Sequence, residues 1–204
     1  MKAKCHWPWV LAVMGAVAGF TSGLQHIQAE SQPANPKVHL PFYVYSEKGS
    51  VKNHYCPSGW MGHTKAIKLD EGCGLAPHSG KTCLRCEYSE LGGWGGVAWQ
   101  YPANDWGDLP DSWNLTGATN LSFWARGEKG NEMVTFEFGI LGPNKKYPDS
   151  DGGEIDFLKL TSDWKEYNIE LNGKNLSRIK TGFAWTVTGQ GEPVVFYLDD
   201  IQFQ

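Results

Sequence analysis

Apolar positions along this 204-residue chain recur mostly with a period of two. Between residues 133 and 140, Val134, Phe136, Phe138 and Ile140 alternate with Thr135, Glu137 and Gly139. Residues 120–126 set Leu121, Phe123 and Ala125 against Ser122, Trp124 and Arg126. Successive side chains of a strand point to opposite faces, so each run makes one apolar and one polar face. The same pattern predicts strands at 42–45, 66–69, 82–88, 96–101, 157–160, 165–171, 182–187 and 194–203. β-Branched and aromatic residues fill these runs, and Gly, Pro, Asn and Asp separate them. A helical period is nearly absent, with room for one turn at 176–179. This many short strands predict an all-β fold, a two-sheet antiparallel β-sandwich or jelly roll.

The last strand breaks its own phase. Phe196 and Leu198 share one face, whereas Ile201 and Phe203 share the other, so the register slips at Asp199-Asp200. A bulge there accounts for the slip. Two adjacent carboxylates are costly to bury without a cation, and calcium takes oxygen ligands in irregular geometry. A solvated strand end is the other reading.

The first thirty residues depart from this pattern. Lys2 and Lys4 precede an apolar run over residues 7–20, and a polar stretch then ends at Ile27-Gln28-Ala29. That order predicts a secretory signal peptide, residues 1–29, cut after Ala29. The run is shorter than the roughly 20 residues of a spanning helix, so no membrane insertion is expected after cleavage; an uncleaved anchor is the alternative. Residues 30–40, with Pro33 and Pro36, read as a flexible lead-in, and 41–204 as one domain. The expected location is exported: secreted, periplasmic or in the cell envelope. Formal net charge is −4, and two of the positive charges belong to the leader. No basic run appears, which argues against nucleic acid and anionic membrane surfaces as partners.

Four cysteines follow the leader: Cys56, Cys73, Cys83 and Cys86. An even number in an exported chain predicts two disulfides. Cys83 and Cys86 fall on opposite faces of one strand and cannot easily bond each other. Cys73 with Cys83, closing a Gly/Pro-rich loop, and Cys56 with Cys86 are the expected pairs; a four-cysteine zinc site is the alternative.

Four segments carry a family likeness: His78-Ser79-Gly80-Lys81-Thr82-Cys83-Leu84-Arg85, Leu121-Ser122-Phe123-Trp124-Ala125-Arg126-Gly127, Leu160-Thr161-Ser162-Asp163-Trp164-Lys165-Glu166-Tyr167 and Phe196-Tyr197-Leu198-Asp199-Asp200-Ile201. In this order they resemble strands of carbohydrate-binding modules with the galactose-binding-domain-like jelly-roll fold, over roughly residues 42–204. The resemblance implies a sandwich with a structural calcium near the joined ends of the first and last strands. Asp199 is then a ligand and Glu47, after the first strand, a second. Many members accompany polysaccharide-degrading enzymes, so a separate enzyme or an envelope protein is an expected partner.

Candidate ligand chemistry concentrates in residues 92–113, which hold Trp94, Trp99, Trp106 and Trp113. Sugars present flat C–H faces that stack on indole rings, and their hydroxyls need amide and carboxylate partners. Gln100, Asn104, Asp105 and Asp108 supply these, and glycines allow close backbone approach. Tryptophan also fills sandwich cores, and Trp124 and Trp164 read that way; Trp185, in phase with Phe183, is either a lesser groove candidate or core. Trp94, Trp99 and Trp106 are the candidate groove rings. The acidic loop 145–154, through Asp149 and Asp151, is either a solvated hairpin tip or the opposite wall of the groove. It lacks the EF-hand pattern.

Glu137 and Glu154 are available as a hydrolytic acid–base pair, but nothing in the sequence singles them out. A nucleophile elbow, a zinc-protease motif and a phosphate loop are all lacking. The leading expectation is a non-catalytic glycan-binding protein. An adhesive or structural envelope protein stands second, and a hydrolase or lyase third.

Overall fold

The computed structural model describes residues 35–204. The expected leader, with its cleavage point after Ala29, and the first part of the lead-in lie outside the described residues. Eleven strands run through the described chain: β1 (Phe42–Tyr45), β2 (Cys56–Gly62), β3 (Ile67–Cys73), β4 (Cys83–Tyr88), β5 (Trp94–Gln100), β6 (Asn120–Gly127), β7 (Met133–Phe138), β8 (Gly153–Lys159), β9 (Lys165–Glu170), β10 (Thr181–Thr188) and β11 (Val194–Phe203). A single 3-10 turn, Thr64–Ala66, is the helical element among the described residues. Residues 176–179, where the sequence left room for a helical turn, form none: Ile179 bridges Trp113, and the Leu115 amide donates to the Leu176 carbonyl.

All strand pairs are antiparallel, in two sheets. One sheet runs β3-β4-β11-β6-β9, with β1 also on β11; the other runs β2-β5-β10-β7-β8. The alternating apolar faces meet between them, as expected of a sandwich. Leu84, Cys86, Phe123, Phe196 and Leu198 come from the first sheet, and Val97, Trp99, Phe136, Phe183 and Trp185 from the second. Rings interlock there: Trp185 meets Phe196 edge-on at 5.2 Å, and Phe123 lies 4.7 Å from Phe136. On the outer face of the first sheet Trp124 stacks on His78 at 3.6 Å, and Trp164 donates through Nε1 to the Ala76 carbonyl, so both indoles fasten the loop before β4.

The predicted slip in β11 is present. Pairing to β6 shifts between Asp199 and Gln202, Asp200 has φ +47°, and Leu198, Ile201 and Phe203 are all buried. The bulge also hands β11 from one neighbour to another. Residues before it pair with β4, and Ile201, Gln202 and Phe203 pair with β1.

Three sequence expectations change. β2 was hidden by Pro57 and Gly59, yet it is an edge strand on β5, where a missing amide and a bulge are tolerated. Part of the lead-in is tied down: Asn35 donates to Ser112, and Val38 donates its amide to the Asn114 carbonyl. The expected disulfides are not formed. Cys73, Cys83 and Cys86 are buried thiols. Cys73 and Cys83 do oppose each other across β3 and β4, but the Cys83 thiol donates to the Cys73 carbonyl at 3.5 Å. Cys86 faces the core from one sheet while Cys56 belongs to the other, so that pairing spans the sandwich.

Candidate functional site

The outward face of the five-stranded sheet follows from its register. Gly59 pairs with Ala98, Ala98 with Ala184, Ala184 with Glu137 and Glu137 with Glu154. Directly paired residues share a face, so this row crosses all five strands on the side away from the core. The next row is Met61, Gly96, Thr186 and Thr135, and Trp94 pairs with Thr188 beyond it. Gly96 and Ala98 in β5 and Ala184 in β10 keep the middle of the face low. A Cβ on Gly96 would come within 2.5 Å of the Trp185 carbonyl oxygen, so that floor admits no larger residue.

A groove of about 390 Å³ lies on this face, lined by Trp94, Met133, Thr135, Glu137, Glu154, Asp156, Phe157, Thr186, Val187 and Thr188. Trp94 is 47% exposed and Phe157 57% exposed. Three carboxylates stand along the β7–β8 side. Thr135 donates its hydroxyl to Asp156 Oδ1 at 2.7 Å, which fixes that side chain. Glu137 has its carboxyl pushed up by burial first, then by the negative charges of Glu154 and Asp156. No lining residue is basic.

Loop 101–112 closes one end of the face. Gln100 is 1% exposed; it accepts from Ser58 Oγ and donates to the Asp105 carbonyl. The Asn104 amide donates back to Ser58 Oγ at 2.7 Å, with Asn104 at φ +59°. Beneath the loop, buried Lys180 sits 2.6 Å from Asp105 Oδ2 and donates to the carbonyls of Leu109 and Asp111. Burial raises the Asp105 pKa, but Lys180 and the amides of Asp108 and Leu109 outweigh it, leaving a carboxyl below its usual range.

The expected ligand residues therefore separate. Trp94 lies in the groove. Trp99 does not: it is 1% exposed and packs on Phe183, because it shares the inward phase of Val97. Gln100 and Asn104 hold the end loop, on which Trp106 is half-buried. Trp113 is stacked on Tyr101 at 4.4 Å. Asp149 is buried, accepting from the amides of Leu141, Lys180 and Thr181. Asp151 accepts from the amides of Gly152 and Asn175 and pairs with Lys174 at 3.5 Å. Neither carboxylate lines the groove; the wall opposite Trp94 comes from β7 and β8 instead. Met133, Thr135, Asp156 and Phe157 escaped the sequence reading, where they were indistinguishable from a solvated strand face.

The expected calcium ligands face hydrogen-bond donors. Asp199 Oδ2 accepts from the amides of His78 and Ser79, and Oδ1 from that of Asp200. Glu47 Oε1 accepts from the Lys81 amide, and Oε2 from the Thr82 amide and hydroxyl. Every one of the four oxygens accepts a hydrogen bond, and Asp199 Oδ2 and Glu47 Oε2 accept two each. Among the described residues no three His, Cys, Asp or Glu side chains converge as ligands. The donor set does not fit the six to eight oxygens of a calcium shell. The two carboxylates instead clamp the 78–82 loop.

No protein-family model matches the chain, and no curated protein matches it. Solved structures do share the fold. The family 30 carbohydrate-binding module of a cellulosomal cellulase of Clostridium thermocellum is 16% identical with a TM-score of 0.52, covering 81% of this chain and 98% of that one. A second family 30 carbohydrate-binding module is 15% identical with a TM-score of 0.52, covering 81% and 87%. The chain thus has the β-sandwich fold of carbohydrate-binding modules.

Proposed function

We propose that this protein is an exported, non-catalytic carbohydrate-binding protein whose glycan lies along the outward face of the β2-β5-β10-β7-β8 sheet. Trp94 carries the reading. A large indole half in solvent, beside the hydroxyls of Thr186 and Thr188, costs hydration and packs little core. It does suit the apolar face of a sugar ring. The carboxylates of Glu137, Glu154 and Asp156 and the hydroxyls of Thr135, Thr186 and Thr188 are the matching hydrogen-bond groups. The fold shared with carbohydrate-binding modules supports the same reading. The signal-like leader supports export, and a polysaccharide-degrading enzyme or an envelope protein is the partner consistent with it.

The test is titration calorimetry against neutral soluble glycans: β-1,4-linked hexasaccharides of glucose, mannose and xylose, and a mixed-linkage β-glucan. Affinity in the roughly micromolar-to-millimolar range is expected for a shallow groove that competes with water. Trp94→Ala should weaken binding about 10- to 100-fold, the loss typical of a central aromatic contact. No binding across the panel, or binding that Trp94→Ala leaves intact, would refute the proposal.

One observation favours a second reading. Glu137, with its raised carboxyl, lies directly opposite Glu154 on the adjoining strand, and glycoside hydrolysis draws on two carboxyls. Release of reducing ends by the isolated chain, abolished by Glu137→Gln, would replace binding with hydrolysis.

A further inference from the structure

Phe157 stands where sequence alternation does not put it. In β8, Ile155 pairs with Phe136 and packs against the core, so strict alternation would turn Phe157 inward as well. Instead the pairing to β7 shifts between Val134 and Phe136, and Leu158, opposite Val134, takes the inward place. Phe157 is left 57% exposed and lines the groove. Its φ is +44°, in the left-handed region where a side chain's Cβ crowds the backbone. Glycine or asparagine is the residue that suits such a position, and a bulky aromatic is unusual there.

The bulge is held in place. The Phe157 amide donates to Thr135 Oγ1 at 3.1 Å, and that hydroxyl donates to Asp156 Oδ1. One threonine therefore fixes both the backbone that presents the ring and the carboxylate beside it. Trp94 is in β5, and β10 and β7 lie between it and β8. Three strand spacings put the two backbones about 14 Å apart. Aromatic surface at both margins, with Glu137 and the hydroxyls of Thr135, Thr186 and Thr188 on the strands between, is the layout for a short run of sugar units crossing the strands.

We infer that Phe157 is a second sugar-stacking ring, and that the β8 bulge exists to turn it into the groove at a cost in backbone strain. This rests on the glycan-binding reading and deepens it. It explains an aromatic held in a disfavoured conformation without burial to compensate. Strain of this kind persists when the surrounding structure over-determines it, and it gathers at ligand sites.

The test compares Phe157→Ala, Phe157→Gly and Phe157→Trp in the full chain, against the panel member that wild type binds best. Both truncations should weaken binding about 10-fold or more, and Phe157→Trp should stay within about 3-fold of wild type. Stability should follow a different order. Glycine in a strand is normally less stable than alanine, but at positive φ the alanine keeps the Cβ clash and the glycine does not. Phe157→Gly is therefore expected to melt about 2–4 °C above Phe157→Ala. Binding by Phe157→Ala within twofold of wild type would overturn the contact. Phe157→Gly melting below Phe157→Ala would overturn the strain. Wild type that binds no glycan refutes the function itself, whereas wild type that binds with an indifferent Phe157→Ala refutes only this inference.

Discussion

Glu137 shows how the groove bears on stability. Its carboxyl is pushed above the usual value of 4.5 by burial and by the charges of Glu154 and Asp156. The folded state then holds a proton that the unfolded chain has already released, so stability falls as pH rises through the window above 4.5. Glu137→Gln removes the penalty. The variant should be more stable than wild type in urea at pH 7, and the difference should vanish below pH 4. A variant less stable at pH 7 would mean that the carboxylate makes favourable contacts outweighing its burial. At Glu47 and Asp199 the prediction concerns metal. Amide and hydroxyl hydrogens engage every carboxylate oxygen, which holds the two side chains without a metal, so chelation should shift Tm by no more than about 1 °C. Glu47→Ala should cost about 0.5–1.5 kcal/mol, because the amides of Lys81 and Thr82 exchange their acceptor for water. A fall of several degrees in chelator would place a cation there.

At the scale of elements, the buried Lys180–Asp105 pair joins the residue before β10 to loop 101–112. Lys180 is fully buried, and its ammonium also caps the carbonyls of Leu109 and Asp111. Removing one partner strands the other charge without water. Lys180→Ala is expected to destabilise by about 3–5 kcal/mol in chemical denaturation, whereas Lys180→Met with Asp105→Leu should recover much of it. Equal losses in the single and double variants would mean that the carbonyl contacts, rather than the ion pair, carry the stability. The elements themselves were largely legible. Alternation over 120–126 and 133–140 marks β6 and β7, and the phase slip at Asp199-Asp200 marks a real bulge. β2 was not legible, because Pro57 and Gly59 carry the signature of a loop and only its neighbour β5 makes it a strand. The site was legible in part. Trp94 and Trp99 are five residues apart and so face opposite sides of β5, but the surrounding glycines blur the phase. Glu137 reads as a polar strand position, yet its groove is assembled from strands distant in sequence. The β8 bulge carries no glycine at its positive φ, so nothing in the sequence announces that Phe157 turns outward.

For the whole molecule, the two sheets divide their tasks. The six-stranded sheet wears its aromatics as fasteners, with Arg126 stacked 3.8 Å from the centre of the Tyr197 ring and Trp124 on His78. The five-stranded sheet presents a groove lined by three carboxylates and no basic side chain, with Lys159 on the same face beside Met133 but outside that lining. With a formal net charge of −4, the chain as a whole adds to the negative field at that face rather than offsetting it. A neutral glycan on this face would donate hydroxyls to those carboxylates. A polyuronate brings a like charge on every sugar, without a lysine or arginine in the groove to receive it. Polygalacturonate oligomers should accordingly bind at least about 10-fold more weakly than neutral oligomers of the same length at low salt, since like-charge juxtaposition at an interface costs several kcal/mol. The gap should narrow as ionic strength passes about 0.1 M, where the screening length falls to about 10 Å. Replacing Glu137 and Glu154 with glutamine and Asp156 with asparagine keeps acceptors in place and removes the charge. The triple variant should close most of the gap while retaining neutral-glycan affinity to within a few-fold. Tighter binding of the polyuronate by wild type would show that the ligand does not run past these carboxylates, and would move the glycan off this face.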